Sequence, residues 1–353
     1  MRKFQWSITW SLDWKSLATL IWRKAEGFRI HFKIKQTERW HLRILHELVV
    51  PGLAEWLLNK LSSSNRPVHV RTGSIWIDGT PQASGTYLTK SNKKKKVKCE
   101  LADQLVLVRV EDIHGARLRG ILLQAKVVKD GDKLDHANDN ASSSSKERNL
   151  LERCSGKIDV YVGVQSTSSL LGIYDLNPNS VGLEPLSRYQ LIPRTASKKE
   201  PYQILWPLAR GHCGGAITSF GDVIYSMATA ANSFGKEIIL PLRPADDWSR
   251  LVKDLADRYL DVEVERFEKE FGAYLPRVVD SGIYSAAKRM FKTAIHRIHN
   301  DSGFFAKYLR NMMPVTQLYA APPSFSGDNE IEGAPKISII YVSIKYGELG
   351  PMD

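Results

Sequence analysis

Three polar side chains at the ends of two neighbouring predicted strands have the types and spacing for metal-dependent hydrolysis. Asp103 stands just before an apolar strand, and Gln124 and Lys126 stand within the next strand. Gln124 follows Asp103 by twenty-one residues. Because side chains alternate along a strand, Gln124 and Lys126 share one face. A carboxylate and an amide oxygen can hold a divalent cation, which polarises a phosphoryl oxygen and lowers the pKa of the attacking water. A lysine beside them would steady that water or the developing charge.

A further acid is expected at this site. A glutamine supplies only a neutral amide oxygen, which is a weaker ligand for a hard cation than a carboxylate. Glu38 and Glu100 are the two candidates. A step of about 100° per residue places Glu38 on the buried face of an amphipathic helix, and Glu100 lies three residues before Asp103. The choice between them stays open at this point.

Two strands must position the three residues. Gln104 to Val110 is almost continuously apolar and β-branched, and Gly120 to Val128 repeats that character after a turn at His114-Gly115. Together they predict a buried hairpin.

A helical period precedes this hairpin. Apolar residues recur every three or four residues from Leu42 to Trp56, which predicts an amphipathic helix, and Thr37 is placed to act as its N-cap. Pro51 is expected to kink or divide the helix because it cannot donate a backbone hydrogen bond.

Short strands are predicted at 68–71 and 74–77, followed by a polar loop that ends in four lysines. These are Lys93, Lys94, Lys95 and Lys96. A loop directly before the expected metal site is well placed for phosphate contacts, so the four lysines are candidate nucleic-acid-binding residues. The alternative is a solvated loop without a partner.

Bulk composition agrees with a polyanionic partner. Fifty Lys and Arg against 38 Asp and Glu leave a net charge of +12 and a pI near 9.4. No stretch approaches the roughly 20 consecutive apolar residues of a spanning helix, and no apolar block follows the first residues, so we expect a cytoplasmic protein without a membrane partner.

Three cysteines lie far apart, which indicates reduced, incidental thiols.

The chain is expected to divide into three parts. Residues 1–35 predict a small α/β lead-in, with a strand at 4–12, a helix over 14–24 and a strand at 30–34. Residues 36–165 contain the candidate site, with a Ser-rich flexible insertion over 130–147 whose composition cannot offset the ordering entropy. Residues 166–353 predict a second α+β region of unassigned role, with helices at 246–259 and 285–312 and a last strand at 337–344.

The order helix with Glu38, strand, strand opening with Asp103, strand carrying Gln124-Ala125-Lys126 resembles the PD-(D/E)xK nuclease superfamily. The glutamine form is similar to Mrr-type restriction endonucleases. The resemblance covers residues 36–165 and lacks the family's proline before the aspartate. It implies a mixed central sheet flanked by helices, Mg²⁺ or Mn²⁺ held by Asp103 and Gln124, and DNA as the substrate.

The sequence therefore predicts a metal-dependent DNA endonuclease. By resemblance alone, a role in bacterial defence and restriction follows. Two alternatives stay open: a catalytically inert nucleic-acid-binding protein and an interaction subunit of a larger assembly. RNA as substrate, a homodimer and a partner protein also stay open.

Overall fold

The computed structural model of this protein describes residues 13–31, 38–62, 68–75, 81–89, 91–128, 143–162, 169–178, 181–194, 200–205, 217–230, 234–239, 246–255 and 338–347. The predicted strand at 4–12, the N-cap at Thr37 and the helix at 285–312 lie outside these residues, as do residues 129–142 of the predicted insertion.

The helices are α1 (Trp14–His31), α2 (Glu38–Ile44), α3 (Val50–Leu61), α4 (Ser143–Arg153), α5 (Phe220–Thr229) and α6 over 247–255, with a π-helical segment at Leu45–Val49. The strands are β1 (Val68–Ile75), β2 (Pro81–Leu88), β3 (Lys94–Glu100), β4 (Gln104–Asp112), β5 (Gly115–Val128), β6 (Cys154–Val162), β7 (Ser169–Tyr174), β8 (Ser187–Pro193), β9 (Gln203–Leu205), β10 (Thr218–Ser219), β11 (Lys236–Ile238) and β12 (Ser338–Tyr346). None of the helices in the described ranges has the length and apolar character to span a bilayer.

A mixed sheet lies at the centre of the fold, in the order β1-β12-β4-β5-β8-β9-β10, with β11 added to β5. The predicted buried hairpin is confirmed, because β4 and β5 pair antiparallel from Gln104 opposite Leu123 to Asp112 opposite Gly115. Gly115 closes the turn with a φ of 121°, which a side-chain-bearing residue rarely adopts. β12 runs parallel to β4, and β8 runs parallel to β5.

The central sheet has a different layer on each face. Val106, Val108 and Val110 of β4 face a core shared with α1, α3 and α5. Leu105 and Leu107 face the opposite core, which is shared with α4, α6 and a second sheet in the order β3-β2-β6-β7. Since alternate side chains face opposite layers, a strand buried on both sides reads as a continuous apolar run. The predicted α/β class with a mixed central sheet flanked by helices is confirmed at this level.

Both the region 36–165 and the region 166–353 supply strands to the central sheet. β8, β9, β10 and β12 come from the second region, and β12 lies between β1 and β4. The predicted last strand is confirmed, at Ser338–Tyr346, in the interior of the sheet. The predicted helix near 246–259 is described over 247–255.

The N-terminal helix is longer than predicted. The expected helix over 14–24 is confirmed, but Ile30 and His31 end α1, so the predicted strand at 30–34 is wrong at those two positions, and 32–34 lie outside the described residues. In the added part of the helix Ala25 is buried, whereas Ile30 is 66% exposed, so the alternation around Ile30 does not mark a buried strand face. Packing of aromatic rings holds the start of α1. The Trp14 ring lies 5.5 Å from Trp56 of α3 and 6.1 Å from Phe220 of α5, measured between ring centroids.

Two segments predicted as loop or flexible chain are regular elements. Lys94, Lys95 and Lys96 begin β3, where pairing with β2 extends the hairpin, and Lys93 alone precedes the strand. β3 is an edge strand, where exposed lysines are well tolerated. Residues 143–147 form the start of α4 because Leu150 and Leu151 of that helix are buried in the core.

The predicted division of the helix near Pro51 is not observed, because the backbone is helical from 38 to 61. A π-helical segment at Leu45–Val49 comes directly before α3, and Pro51 lies in the first turn of α3. The π-helical segment carries His46, whose Nε2 lies 2.8 Å from Ser338 Oγ at the start of β12. This contact joins the helical layer to the sheet.

The buried His46 predicts a defined pH dependence of stability. Burial lowers the pKa of His46 to about 3, against an ordinary value of 6.5. Between pH 3 and 6.5 the unfolded chain therefore binds one more proton than the folded chain. The contribution of the neutral His46 to the free energy of unfolding is present above pH 6.5 and is lost as the pH falls toward 3. We expect His46→Gln, relative to the wild type, to gain about 1.4 kcal/mol of unfolding free energy per pH unit below 6, measured by urea titration.

Glu200→Gln is the matched control with the opposite sign. Burial, with the nearby Asp222 carboxylate, raises the pKa of Glu200 to about 7. Its contribution to stability is present below its unfolded value of 4.5 and is lost as the pH rises through 7. Relative to the wild type, Glu200→Gln should therefore lose stability as the pH falls from 7. Parallel pH profiles for wild type and His46→Gln would contradict the role assigned to His46.

Candidate active site

Asp103 lies in the short connection between β3 and β4, and its backbone is bound on two sides. Its N–H donates to the Leu123 carbonyl of β5 at 3.0 Å, and its carbonyl accepts from the Ser338 N–H of β12 at 2.9 Å. The residue is thereby held where β4 and β12 begin, beside the interior of β5.

The Asp103 side chain reaches the residues that spacing predicted as its partners. Its Oδ2 accepts a hydrogen bond from Gln124 Nε2 at 2.5 Å and another from the Ala125 backbone N–H at 2.7 Å. The Asp103 residue is only 5% exposed. The structure therefore brings Asp103 and Gln124 together inside the protein, at the end of the hairpin.

Several charges act on the Asp103 carboxyl group. Burial raises its pKa well above the ordinary value, and the carboxylates of Glu38 and Glu100 raise it further, while Lys126 and the Ala125 N–H oppose the shift. Both candidate auxiliary acids thus interact with Asp103. A titratable group displaced in this way, among other charged groups, is typical of functional sites.

Gln124 has one buried atom without a partner. The residue is 1% exposed, and its Nε2 is used by Asp103, whereas Oε1 has no hydrogen-bond partner within the described part of the chain. An unsatisfied buried acceptor costs about 1–3 kcal/mol, so native proteins rarely retain one without a reason. A bound cation would satisfy this oxygen.

Lys126 is held by a residue that the sequence analysis missed. Its Nζ lies 2.7 Å from Oε2 of Glu147 in α4, and the side chains are 14% and 4% exposed respectively. Burial alone would lower the pKa of Lys126, but the carboxylates of Glu147, Asp103 and Glu38 together raise it above the ordinary value. The ammonium group is therefore charged at neutral pH.

Glu147 was missed because it fell in the segment predicted to be flexible. A signal was present, since Glu147 precedes the apolar residues Leu150 and Leu151 at helical spacings of three and four. An acid on the same helix face as two leucines is the pattern that singled out Glu38.

The donor set suits a hydrated divalent cation better than a cage of protein ligands. Among the residues that the structure describes, no three His, Cys, Asp or Glu side chains are grouped to hold a metal ion. Mg²⁺ commonly keeps several waters and binds through one or two carboxylates plus substrate phosphates. The Asp103 carboxylate and Gln124 Oε1, which has no partner among the described residues, fit that requirement.

The lysine run lies apart from this cluster. Lys94, Lys95 and Lys96 are exposed at the far end of β3, and the strand then leads through Glu100 to Asp103. A rise of about 3.3 Å per residue separates Lys94 from Glu100 by roughly 20 Å along the strand. The lysines are therefore not part of the buried site.

Replacing Asp103 should separate the cost of its charge from the value of its hydrogen bonds. Asp103→Asn removes the buried charge but keeps an acceptor, so at pH 8 without divalent ions we expect the free energy of unfolding to rise by on the order of 1 kcal/mol. Because the pKa of Asp103 is raised, the folded wild type takes up a proton there as the pH falls and loses the costly charge. The stability gain of Asp103→Asn over wild type should therefore shrink as the pH falls toward 4.

Asp103→Ala is the matched comparison. It leaves the Gln124 and Ala125 donors buried without an acceptor, which should lower the free energy of unfolding by about 1–3 kcal/mol. Denaturant titrations of both variants measure these values. A lower stability of Asp103→Asn than of wild type at pH 8 would contradict the assigned electrostatics.

Comparison with known proteins found no matching family model, no matching curated protein and no matching solved structure. The interpretation of the site therefore depends on the geometry of its own residues.

Proposed function

We propose that this protein is a metal-dependent endonuclease that hydrolyses phosphodiester bonds of DNA at the site formed by Asp103, Gln124 and Lys126. The observation that carries the proposal is the buried contact of Gln124 Nε2 with Asp103 Oδ2, while Gln124 Oε1 has no partner among the residues that the structure describes. Two oxygen ligands, one from Asp103 and one from Gln124, with a charged lysine on the strand of Gln124, suit divalent-assisted hydrolysis.

Each residue has a distinct part in the proposed chemistry. When bound, Mg²⁺ or Mn²⁺ would polarise the phosphoryl oxygen and supply an activated water. Asp103 and Gln124 would hold the ion through their side-chain oxygens. Lys126 presents a charged ammonium group, which stabilises negative charge at the reacting phosphate. Glu38 and Glu100, whose carboxylates both act on Asp103, remain the two candidates for the auxiliary acid.

The order of the elements supports a PD-(D/E)xK-type core. α2 begins at Glu38, β4 follows Asp103, and β5 carries Gln124 and Lys126. Three strands, β1, β2 and β3, stand between α3 and Asp103, where the resemblance has one. After β5 the chain passes through α4, β6 and β7 before β8 pairs parallel with β5. A role in bacterial defence and restriction is the natural extension of this proposal.

An inert nucleic-acid-binding protein is the second candidate, and a row of exposed lysines favours it. Lys94, Lys96 and Lys98 alternate along β3 and so share its outer face, where the short side chains of Thr86 and Ser84 lie opposite the last two. This row has the charge to contact consecutive phosphates with or without cleavage. Divalent-ion dependence distinguishes the two candidates.

The central prediction concerns cleavage. Supercoiled plasmid and single-stranded DNA are incubated with wild type in Mg²⁺, in Mn²⁺ and in EDTA, and we expect cutting only with a divalent ion. Asp103→Ala and Lys126→Ala should each lower the cleavage rate by about 100-fold or more, as expected for removal of groups that stabilise transition-state charge. Asp159→Ala and Lys157→Ala, in β6 of the second sheet, are the controls and should cut at the wild-type rate.

A folded wild type that cuts no DNA would overturn the proposal. If folded wild type cuts neither duplex nor single-stranded DNA with either ion, but binds DNA with strong salt dependence, the inert binder is the correct function. Cutting of an RNA substrate alone would keep the site chemistry and replace the substrate.

The lysine row yields a separate prediction on binding. Lys94→Gln, Lys96→Gln and Lys98→Gln combined should weaken DNA binding and reduce the slope of log affinity against log salt by up to about 3, because each lost phosphate contact removes roughly 0.9. Fluorescence anisotropy at several salt concentrations measures the slope. A triple variant of Lys15, Lys60 and Lys345, with the same loss of charge on other elements, should keep the wild-type slope. Equal slopes for both triple variants would show that the effect is general charge loss.

A further inference from the structure

Glu147 is the closest charged partner of Lys126 in the described structure. It lies in α4, it is 4% exposed, and its Oε2 is 2.7 Å from the Lys126 ammonium nitrogen. The two residues come from different layers, since β5 belongs to the central sheet and α4 packs between that sheet and the second one.

A buried ion pair of this kind needs an explanation. The desolvation penalty of two buried charges can exceed their attraction, so such a pair is weak evidence for stability alone. A lysine also has a flexible four-carbon side chain with about 2 kcal/mol of rotamer entropy. Its ammonium group can therefore move to whichever nearby carboxylate attracts it most. The carboxylates of Asp103 and Glu38 also attract Lys126.

Glu147 keeps the Lys126 ammonium group from pairing with Asp103. Without a carboxylate on α4, the Lys126 ammonium would be drawn toward Asp103. A lysine bound to Asp103 would neutralise the carboxylate that the proposed metal site needs. With Glu147 in place, Asp103 Oδ2 is bound by Gln124 and Ala125 instead.

We propose that Glu147 is the positioning residue of the site, because its carboxylate holds the Lys126 ammonium group beside Asp103 without letting it occupy the Asp103 carboxylate. This inference rests on the proposed nuclease function. Glu147 acts through Lys126 and does not itself touch the reacting atoms.

A second ion pair in the same helix provides a matched control. Arg148 Nε lies 3.1 Å from Glu152 Oε2, and their side chains are 10% and 11% exposed. Tyr189 of β8 also donates to Glu152 Oε1 at 3.4 Å, so Glu152 ties α4 to the central sheet as Glu147 does. Glu152→Gln therefore disturbs the same helix, while in the described structure Lys126 pairs with Glu147 and Glu152 pairs with Arg148.

The first experiment compares the kinetics of Glu147→Gln, Glu147→Asp and Glu152→Gln in plasmid cleavage with Mg²⁺. Glu147→Gln should lower kcat by about 10- to 100-fold, as is usual for residues that orient functional groups, with KM close to wild type. Glu147→Asp keeps the charge and should recover part of the loss. Glu152→Gln should keep kcat within about twofold, even where its melting temperature falls as much as that of Glu147→Gln.

Equal losses of kcat in Glu147→Gln and Glu152→Gln would overturn the inference, because the pair would then serve only to attach α4. An unchanged kcat in Glu147→Gln would overturn it as well.

A second measurement does not depend on activity. In protein labelled with ¹⁵N-lysine, an ordered buried ammonium group gives a ¹H–¹⁵N signal that Lys126→Met identifies by its loss. We expect this signal to vanish or shift strongly in Glu147→Gln and to persist in Glu152→Gln. If wild type cuts DNA but neither the signal nor kcat responds to Glu147→Gln, the inference fails and the nuclease function stands. If the signal responds but wild type cuts no nucleic acid, the ion pair stands, and the proposed function fails together with the positioning role.

Discussion

The buried carboxylate of Asp103 is the constraint on which the candidate site depends. Its residue joins three strands, since the backbone pairs with Leu123 of β5 and Ser338 of β12 while β4 starts directly after it. Its side chain then binds Gln124 and the Ala125 N–H. A charge in the interior is costly unless donors surround it, so the local arrangement of β5 follows from the need to satisfy this carboxylate.

The same constraint explains the balance of charge around the site. Burial and the carboxylates of Glu38 and Glu100 raise the pKa of the Asp103 carboxyl group, and the Lys126 ammonium group opposes them. Lys126 is itself paired with Glu147. Among these five residues, acids outnumber cations, and a divalent ion beside Asp103 would relieve the repulsion, since a bound cation is often the largest charge in such a site. This balance of charge agrees with the metal-dependent reaction that we propose from the Asp103–Gln124 contact.

Much of the site could be predicted from local sequence because strand geometry is local. An alternation of two places Gln124 and Lys126 on one face, and a tight turn at Gly115 brings β5 back along β4 to Asp103. The predicted division of the helix near Pro51 is not observed, since a continuous helix with a π-helical segment at Leu45–Val49 accommodates the proline. The start of β3 at Lys94 was mispredicted because pairing with β2 outweighed composition. The end of α1 at His31 was mispredicted because the alternation around Ile30 suggested a buried strand face, whereas Ile30 is exposed.

The sequence by itself determined which residues of the hairpin meet, namely Asp103 with Gln124, because backbone periodicity and a short turn leave little freedom between neighbouring strands. Only the tertiary structure decided what holds them from outside the hairpin. Ser338 binds the Asp103 backbone from 235 residues further along the chain, and Glu147 reaches Lys126 from a helix in another layer. Such partners depend on how distant elements pack, and packing is decided by the burial of whole surfaces, which no local pattern contains.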